Sequence, residues 1–248
     1  MSWGTRKLLF TENPYPDESF IGYIMRLCEI NEIPEIRWIL NEAGLERSYD
    51  FKYKFNSDFR INTENLSILA GFNESQIKDL LYLHEFGYKW HITGNILVFG
   101  KLVPHYFVRR ENPKICPLCL SEKNYLRKVW EISLLTACPI HKCLLLDTCL
   151  NCFDKIKWER PTISLCRCEF DFRESEVFPV NENELRLAKY ICQEFKLSDK
   201  GKRIHFDYPL NTLNLKDLLE LIFFISRHCA GEFSSADISL KFNNARLH

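Results

Sequence analysis

Eight of the chain's eleven cysteines fall between Cys116 and Cys168, and seven of them, with His141, divide by spacing into two sets of four metal ligands. The first set reads Cys116-x2-Cys119, then eighteen residues, then Cys138-x2-His141; the second reads Cys149-x2-Cys152, then thirteen residues, then Cys166-x-Cys168. Two intervening residues let one tight turn aim both side chains at a single ion, and the longer gap brings a second turn across to complete a tetrahedron. Both shells are complete with protein ligands, as in structural zinc sites, and leave no position for a reactive water. The expectation is two Zn2+ per chain, supplying folding free energy that apolar burial alone does not.

Disulfides are the competing reading. They suit short secreted chains, whereas this one opens MSWGTRKLLF, without the apolar stretch and small-residue cleavage site of a secretory leader; a reducing, cytoplasmic setting is expected. Cys28, Cys143, Cys192 and Cys229 read as ordinary buried thiols. Neither Cys-x2-Cys sits in the βαβ pattern of a redox motif.

At 248 residues, 46% hydrophobic and 14% aromatic, the chain can build two or three small cores. No apolar run reaches the length of a membrane span; the strongest, 218–225, is short and interrupted by Glu220. The formal charge is zero, and seven thiolates against two dications would take it to −3. Nucleic-acid contact must then come from a local patch. One patch stands in 109–128, where Arg109, Arg110, Lys114, Lys123, Arg127 and Lys128 face only Glu111 and Glu122. It overlaps the first ligand set, and a metal-pinned loop can hold cations in register against phosphates or a partner; the plainer alternative is a solvated face. The smaller group Lys196, Lys200, Lys202 and Arg203 reads as solvated.

Periodicity divides the chain into a helical, helix-turn-helix-like domain at 1–110, a tandem zinc-finger region at 111–178 (three cysteines with one histidine, then four cysteines) and a helical domain at 179–248. The expected fold is mainly α with small zinc-stabilised β-hairpin modules. A first helix is expected from about Asp17, with Ile21, Ile24, Met25 and Cys28 on one face, and a second over 35–43, closed by Gly44. Thr63 is expected to cap a helix to Ala70, followed by a turn at Gly71-Phe72-Asn73 and a helix over 74–83. This last helix carries Glu74, Asp79 and Glu85 against Lys78, so a protein-contacting or structural role is favoured over major-groove reading. GNILVFGK at 94–101 lacks the spacing of a phosphate loop and reads as a strand. Leu185, Ala188, Ile191, Cys192 and Phe195 share a helical face. A further helix, capped by Asn214, is apolar nearly all round, which points to burial, with dimerisation as the alternative. No nucleophile–base pair stands out, so no enzymatic activity is expected.

The segment CPLCLSEKNYLRKVWEISLLTACPIHKCLLLDTCLNCFDKI resembles the zinc-binding core of the TniQ family, which includes TnsD: Cys116, Pro117, Cys119, Tyr125, Arg127, Trp130, Cys138, Pro139, His141, Leu144, Leu145, Cys149 and Cys152 stand in the family's places. Pro14-Tyr15-Pro16-Asp17-Glu18-Ser19 and Arg26 resemble its opening signature. Lys142, Phe153 and Glu169 replace frequent glycines and Leu150 a frequent proline, so altered turn geometry is expected there.

The resemblance implies a non-catalytic target-selection adaptor in DNA transposition. Such a protein recruits a TnsC-like AAA+ transposition regulator to target DNA, either through a CRISPR effector complex and its guide RNA or, in TnsD-like members, by direct sequence-specific DNA binding through an extended C-terminal region. About 80 residues follow Cys168, without a strongly basic module, which favours the RNA-guided adaptor. A zinc nuclease or deaminase would need an open metal position and a general base, and Cys138-Pro-Ile-His141 does not supply the deaminase pattern.

Overall fold

A computed structural model describes residues 7–42, 62–84, 94–109, 112–197 and 203–229. Gly44, Glu85, Arg110, Glu111, Lys200 and Lys202, which enter the expectations above, lie outside them, as does the side chain of Cys229. The chain forms two compact units that interleave along the sequence: 1–83 with 110–130 and 146–176, and 84–109 with 131–145 and 177–248. These differ from the consecutive blocks 1–110, 111–178 and 179–248.

The first unit is built on α1 (Phe20–Ile30), buried from Phe20 to Cys28. Asp17 lies ahead of the helix; the cap is Ser19, whose Oγ accepts the Gly22 amide at 3.0 Å. Gly22 is required by close packing, because a Cβ there would lie 2.9 Å from the Leu126 Cβ. Next come α2 (Ile36–Glu42), α3 (Thr63–Ala70) and α4 (Glu74–Leu80). The cap of α3 is Asn62, not Thr63: its Oδ1 accepts the Asn65 amide at 2.9 Å, while Thr63 turns its hydroxyl to Glu74. Gly71 closes α3 at φ 74°, and Asn73 with Gln76 forms a capping box on α4. The expected α3–turn–α4 pattern is therefore present, but α4 stops at Leu80 because Leu81 turns extended.

In the second unit GNILVFGK is a hairpin. β2 (Asn95–Val98) pairs antiparallel with β3 (Lys101–Pro104), and the turn residues Phe99 and Gly100 both have positive φ, matching the right-handed twist of the strands. A two-residue strand, β1 (Leu83–His84), precedes it in the chain. Two helices complete the unit. α6 (Glu182–Glu194), capped by Asn181, buries Leu185, Ala188, Ile191 and Cys192, with Phe195 just beyond its end, as the spacing predicts. α7 (Leu215–Cys229) is held by Asn214, which accepts the Asp217 amide at 3.0 Å. It buries Leu215, Leu218 and Leu219 but exposes Phe224 and Ile225, so its apolar circumference is covered on one side only. No helix among the described residues is long and apolar enough to cross a membrane.

Candidate metal centres and the segment that braces them

The first ligand pair sits at the start of α5 (Pro117–Glu122). Cys116 is its N-cap and Cys119 lies three residues on, so one turn of helix carries both sulfurs on the same side. Pro117 at the first helical position presets the helical φ and gives up only an amide that would have had no partner. The second pair comes from the hairpin β4 (Ala137–Cys138) and β5 (Cys143–Leu144), with Cys138 opposite Cys143. Between them the chain turns tightly: Lys142 N–H donates to Cys138 O at 2.8 Å, and the His141 amide approaches Cys138 Sγ at 3.5 Å. His141 Nδ1 then lies 3.7 Å from Cys138 Sγ.

The all-cysteine cluster repeats this device twice. Phe153 N–H donates to Cys149 O at 3.0 Å, and Glu169 N–H to Cys166 O at 3.0 Å; single β-bridges, Thr148 with Lys155 and Leu165 with Asp171, close the two turns. Cys149 Sγ and Cys168 Sγ are 3.7 Å apart, and Cys152 Sγ and Cys166 Sγ 3.8 Å. In each tetrad all four ligand atoms lie within 4.8 Å of one another.

These separations decide between metal and disulfide. A tetrahedron with zinc–sulfur arms of about 2.3 Å has edges of about 3.8 Å, whereas bonded sulfurs stand about 2.05 Å apart. No described cysteine is disulfide-bonded. Both tetrads fit zinc, and each offers four protein ligands, a closed shell. Cys143, buried beside the first tetrad, belongs to neither cluster; Cys28 and Cys192 are also buried.

The two tetrads differ in setting. Cys116, Cys119 and Cys138 are buried, whereas Cys168 is exposed. A hydrogen bond from the Asn151 side-chain Nδ2 at 3.5 Å, followed by one from the Phe170 backbone, brings the Cys168 thiol down to about 6. Burial pushes Cys166 up to about 12. Metal binding takes thiolates, so a bound ion would release the thiol protons of this cluster to solvent.

The glycine replacements keep the turn geometry instead of altering it. Lys142, Phe153 and Glu169 stand at φ 54°, 61° and 66°, the left-handed conformation that glycine adopts without cost. Each is the residue whose amide closes its turn, four residues after a ligand at Lys142 and Phe153 and three after at Glu169.

The described cations of 109–128 are not gathered as one exposed group. Lys123 is exposed and Arg109 half-buried, but Lys114 and Lys128 are buried. Lys128 Nζ donates to Leu81 O at 2.8 Å and Asp79 O at 3.1 Å, capping the C-terminal end of α4. Arg127 is ion-paired to Asp17, whose other oxygen accepts Tyr125 Oη at 2.9 Å.

This arrangement explains the N-terminal signature, whose role the sequence did not disclose. Tyr15 stacks on Tyr125 with centroids 4.2 Å apart, Asp17 O accepts the Lys128 amide, and Ser19 N–H donates to Leu126 O. Glu18 is fully buried and takes a two-point hydrogen bond from Arg26 Nε (2.9 Å) and Nη2 (2.7 Å). Pro14–Ser19 and Arg26 thus fasten the start of α1 to the strand-like segment that leaves the first Cys-x2-Cys.

Comparison with known proteins agrees with this assembly. The TniQ family model matches residues 9–145, taking in the N-terminal clamp and the whole first tetrad. No curated protein matches the chain. Since the family match covers more than half of the 248 residues, the chain belongs to the TniQ family.

Proposed function

We propose that this TniQ protein is a non-catalytic adaptor, linking a target-bound, RNA-guided CRISPR effector complex to a TnsC-like AAA+ regulator, and that its two tetrads hold Zn2+. Family membership carries the general role, target selection in DNA transposition; it is the observation on which the reading rests. The closed shells, one of three cysteines and a histidine and the other of four cysteines, support a structural metal over a reactive one, because a bound ion would have no position left for substrate or water. What zinc supplies when bound is rigidity: it would fix the turns that carry Lys142, Phe153 and Glu169.

The choice of an adaptor over a TnsD-like reader is supported by the placement of charge. Reading a site directly requires several cations presented to phosphates and base edges. Here Lys114 and Lys128 are buried and Arg127 is held by Asp17, and α4, the second helix of the helix-turn-helix-like pair, carries Glu74 and Asp79 against Lys78.

The test is a binding titration of the purified chain, alone and with the AAA+ regulator, against a defined attachment site and random DNA at physiological salt. The adaptor reading expects little preference from the chain alone, and a stable complex with the regulator. Nanomolar binding to one site, with a preference of a thousandfold or more over random DNA (roughly the lower end for specific readers), would establish the direct reader in its place.

A further inference from the structure

Beside the four-cysteine tetrad, within the first unit, lies a cleft of about 220 Å³ on whose wall Cys152, Cys166 and Cys168 meet Arg160. The other charged residues of that wall are exposed: Lys155 is ion-paired to Asp147 and Arg167 to Glu159, and Lys157 and Asp154 stand open to solvent. Arg160 differs. It is 8% exposed, and among the described residues it makes no ion pair.

Its own loop pins the guanidinium in place. Nη1 donates to the Lys157 carbonyl at 2.6 Å and Nη2 to that of Ile163 at 3.1 Å, and the group lies 5.8 Å from the centroid of the Phe172 ring. The charges that act on it are the Glu29 carboxylate and the Cys166 sulfur. Glu29 stands beyond ion-pair reach and is engaged by the Ile163 amide and by Asn124 Nδ2 at 3.1 Å. Burial lowers the guanidinium to about 10, which leaves it a cation at neutral pH.

A buried cation with no anion in contact is costly, and metal-bound thiolates would supply that anion. Zn2+ with four thiolates carries 2 − 4 = −2, where four thiols carry nothing. The first tetrad, with three cysteines and a histidine, would carry 2 − 3 = −1, and Arg127, the arginine that acts on its Cys119, is already ion-paired to Asp17. We propose that Arg160 is the counter-charge of the four-cysteine centre, offsetting the excess negative charge of the metal-bound sulfurs, so that retention of the second ion, and not of the first, depends on it. The inference rests on the reading that both tetrads hold Zn2+, and it holds for an adaptor and for a direct DNA reader alike.

The experiment withdraws zinc from the full chain with increasing concentrations of a chromophoric chelator, and assigns each equivalent by amide exchange in 116–141 and in 149–168. Arg160→Gln, which keeps a donor but not the charge, should release the second ion at about 10–100-fold lower chelator concentration, with the first unmoved. Arg160→Lys keeps the charge but not the planar fork and should restore most of the retention. If Arg160→Gln does not fold, Glu29→Gln decides in its place: removal of a nearby negative charge should hold the second ion a few-fold more tightly. Retention unchanged in Arg160→Gln, Arg160→Lys as weak as Arg160→Gln, or Glu29→Gln no tighter than the native chain would each overturn the proposal. A native chain with fewer than two zinc equivalents would overturn the zinc reading and this inference together, and that result shows before any substitution is made.

Discussion

Lys142, Phe153 and Glu169 hold a conformation that costs an ordinary residue about 1–2 kcal/mol, and they do so where a turn must close behind a ligand. The ligand spacing forces the geometry, and the side chain tolerates it. Lys142→Gly should therefore stabilise the protein by about 0.5–1 kcal/mol, the relief of strain less the extra entropy of a flexible unfolded residue. Lys142→Val should destabilise it, because a β-branched side chain fits positive φ worst. Urea unfolding of the two variants checks the sign; equal midpoints would mean that the turn does not need the left-handed conformation. Lys128 makes the second case at this scale. Lys128→Met leaves the Leu81 and Asp79 carbonyls without their donor and should cost about 1–3 kcal/mol. Unchanged stability combined with weaker DNA binding would instead place that ammonium against phosphate. A count of positive charges along the sequence could not separate Lys128 from Lys123, because burial of a lysine is decided by which carbonyls lie within its reach.

Among the elements, the two cysteine-rich ligand clusters were the most legible, since metal geometry ties ligand spacing directly to turn type. The cap of α6 and its buried face also followed from local pattern. Less legible were boundaries that depend on competition between neighbours. Asn62 and Thr63 are both good caps, and Thr63 lost the role because Glu74 claims its hydroxyl. For α7, periodicity identified apolar residues but not what would cover them, and Phe224 and Ile225 remain outside. The modules are separable in their ligands, which gives a prediction. Cys152→Ser should lower bound zinc from two equivalents to one and increase amide exchange across 149–168, while the Cys116–His141 tetrad keeps its metal. Loss of both ions from this one substitution would show that the modules fold as one.

For the whole molecule, each compact unit is assembled from stretches that lie far apart in the chain. The N-terminal signature illustrates this: Asp17 and Glu18 have partners at Arg127 and Arg26, and only the fold brings residue 17 to residue 127. Asp17→Asn should thus lower stability through lost pairing with Arg127 and Tyr125, by about 1–3 kcal/mol, with two zinc ions still bound. The formal neutrality of the chain gives it no general electrostatic attraction to nucleic acid. The account as a whole rests on two ions holding the centre of the chain, and native mass spectrometry before and after a strong chelator tests this most directly. Two Zn2+ per chain are expected, with loss of native compactness as they are withdrawn; a compact chain that carries no metal, or one two or four hydrogens lighter per cluster from bridged sulfurs, would contradict it.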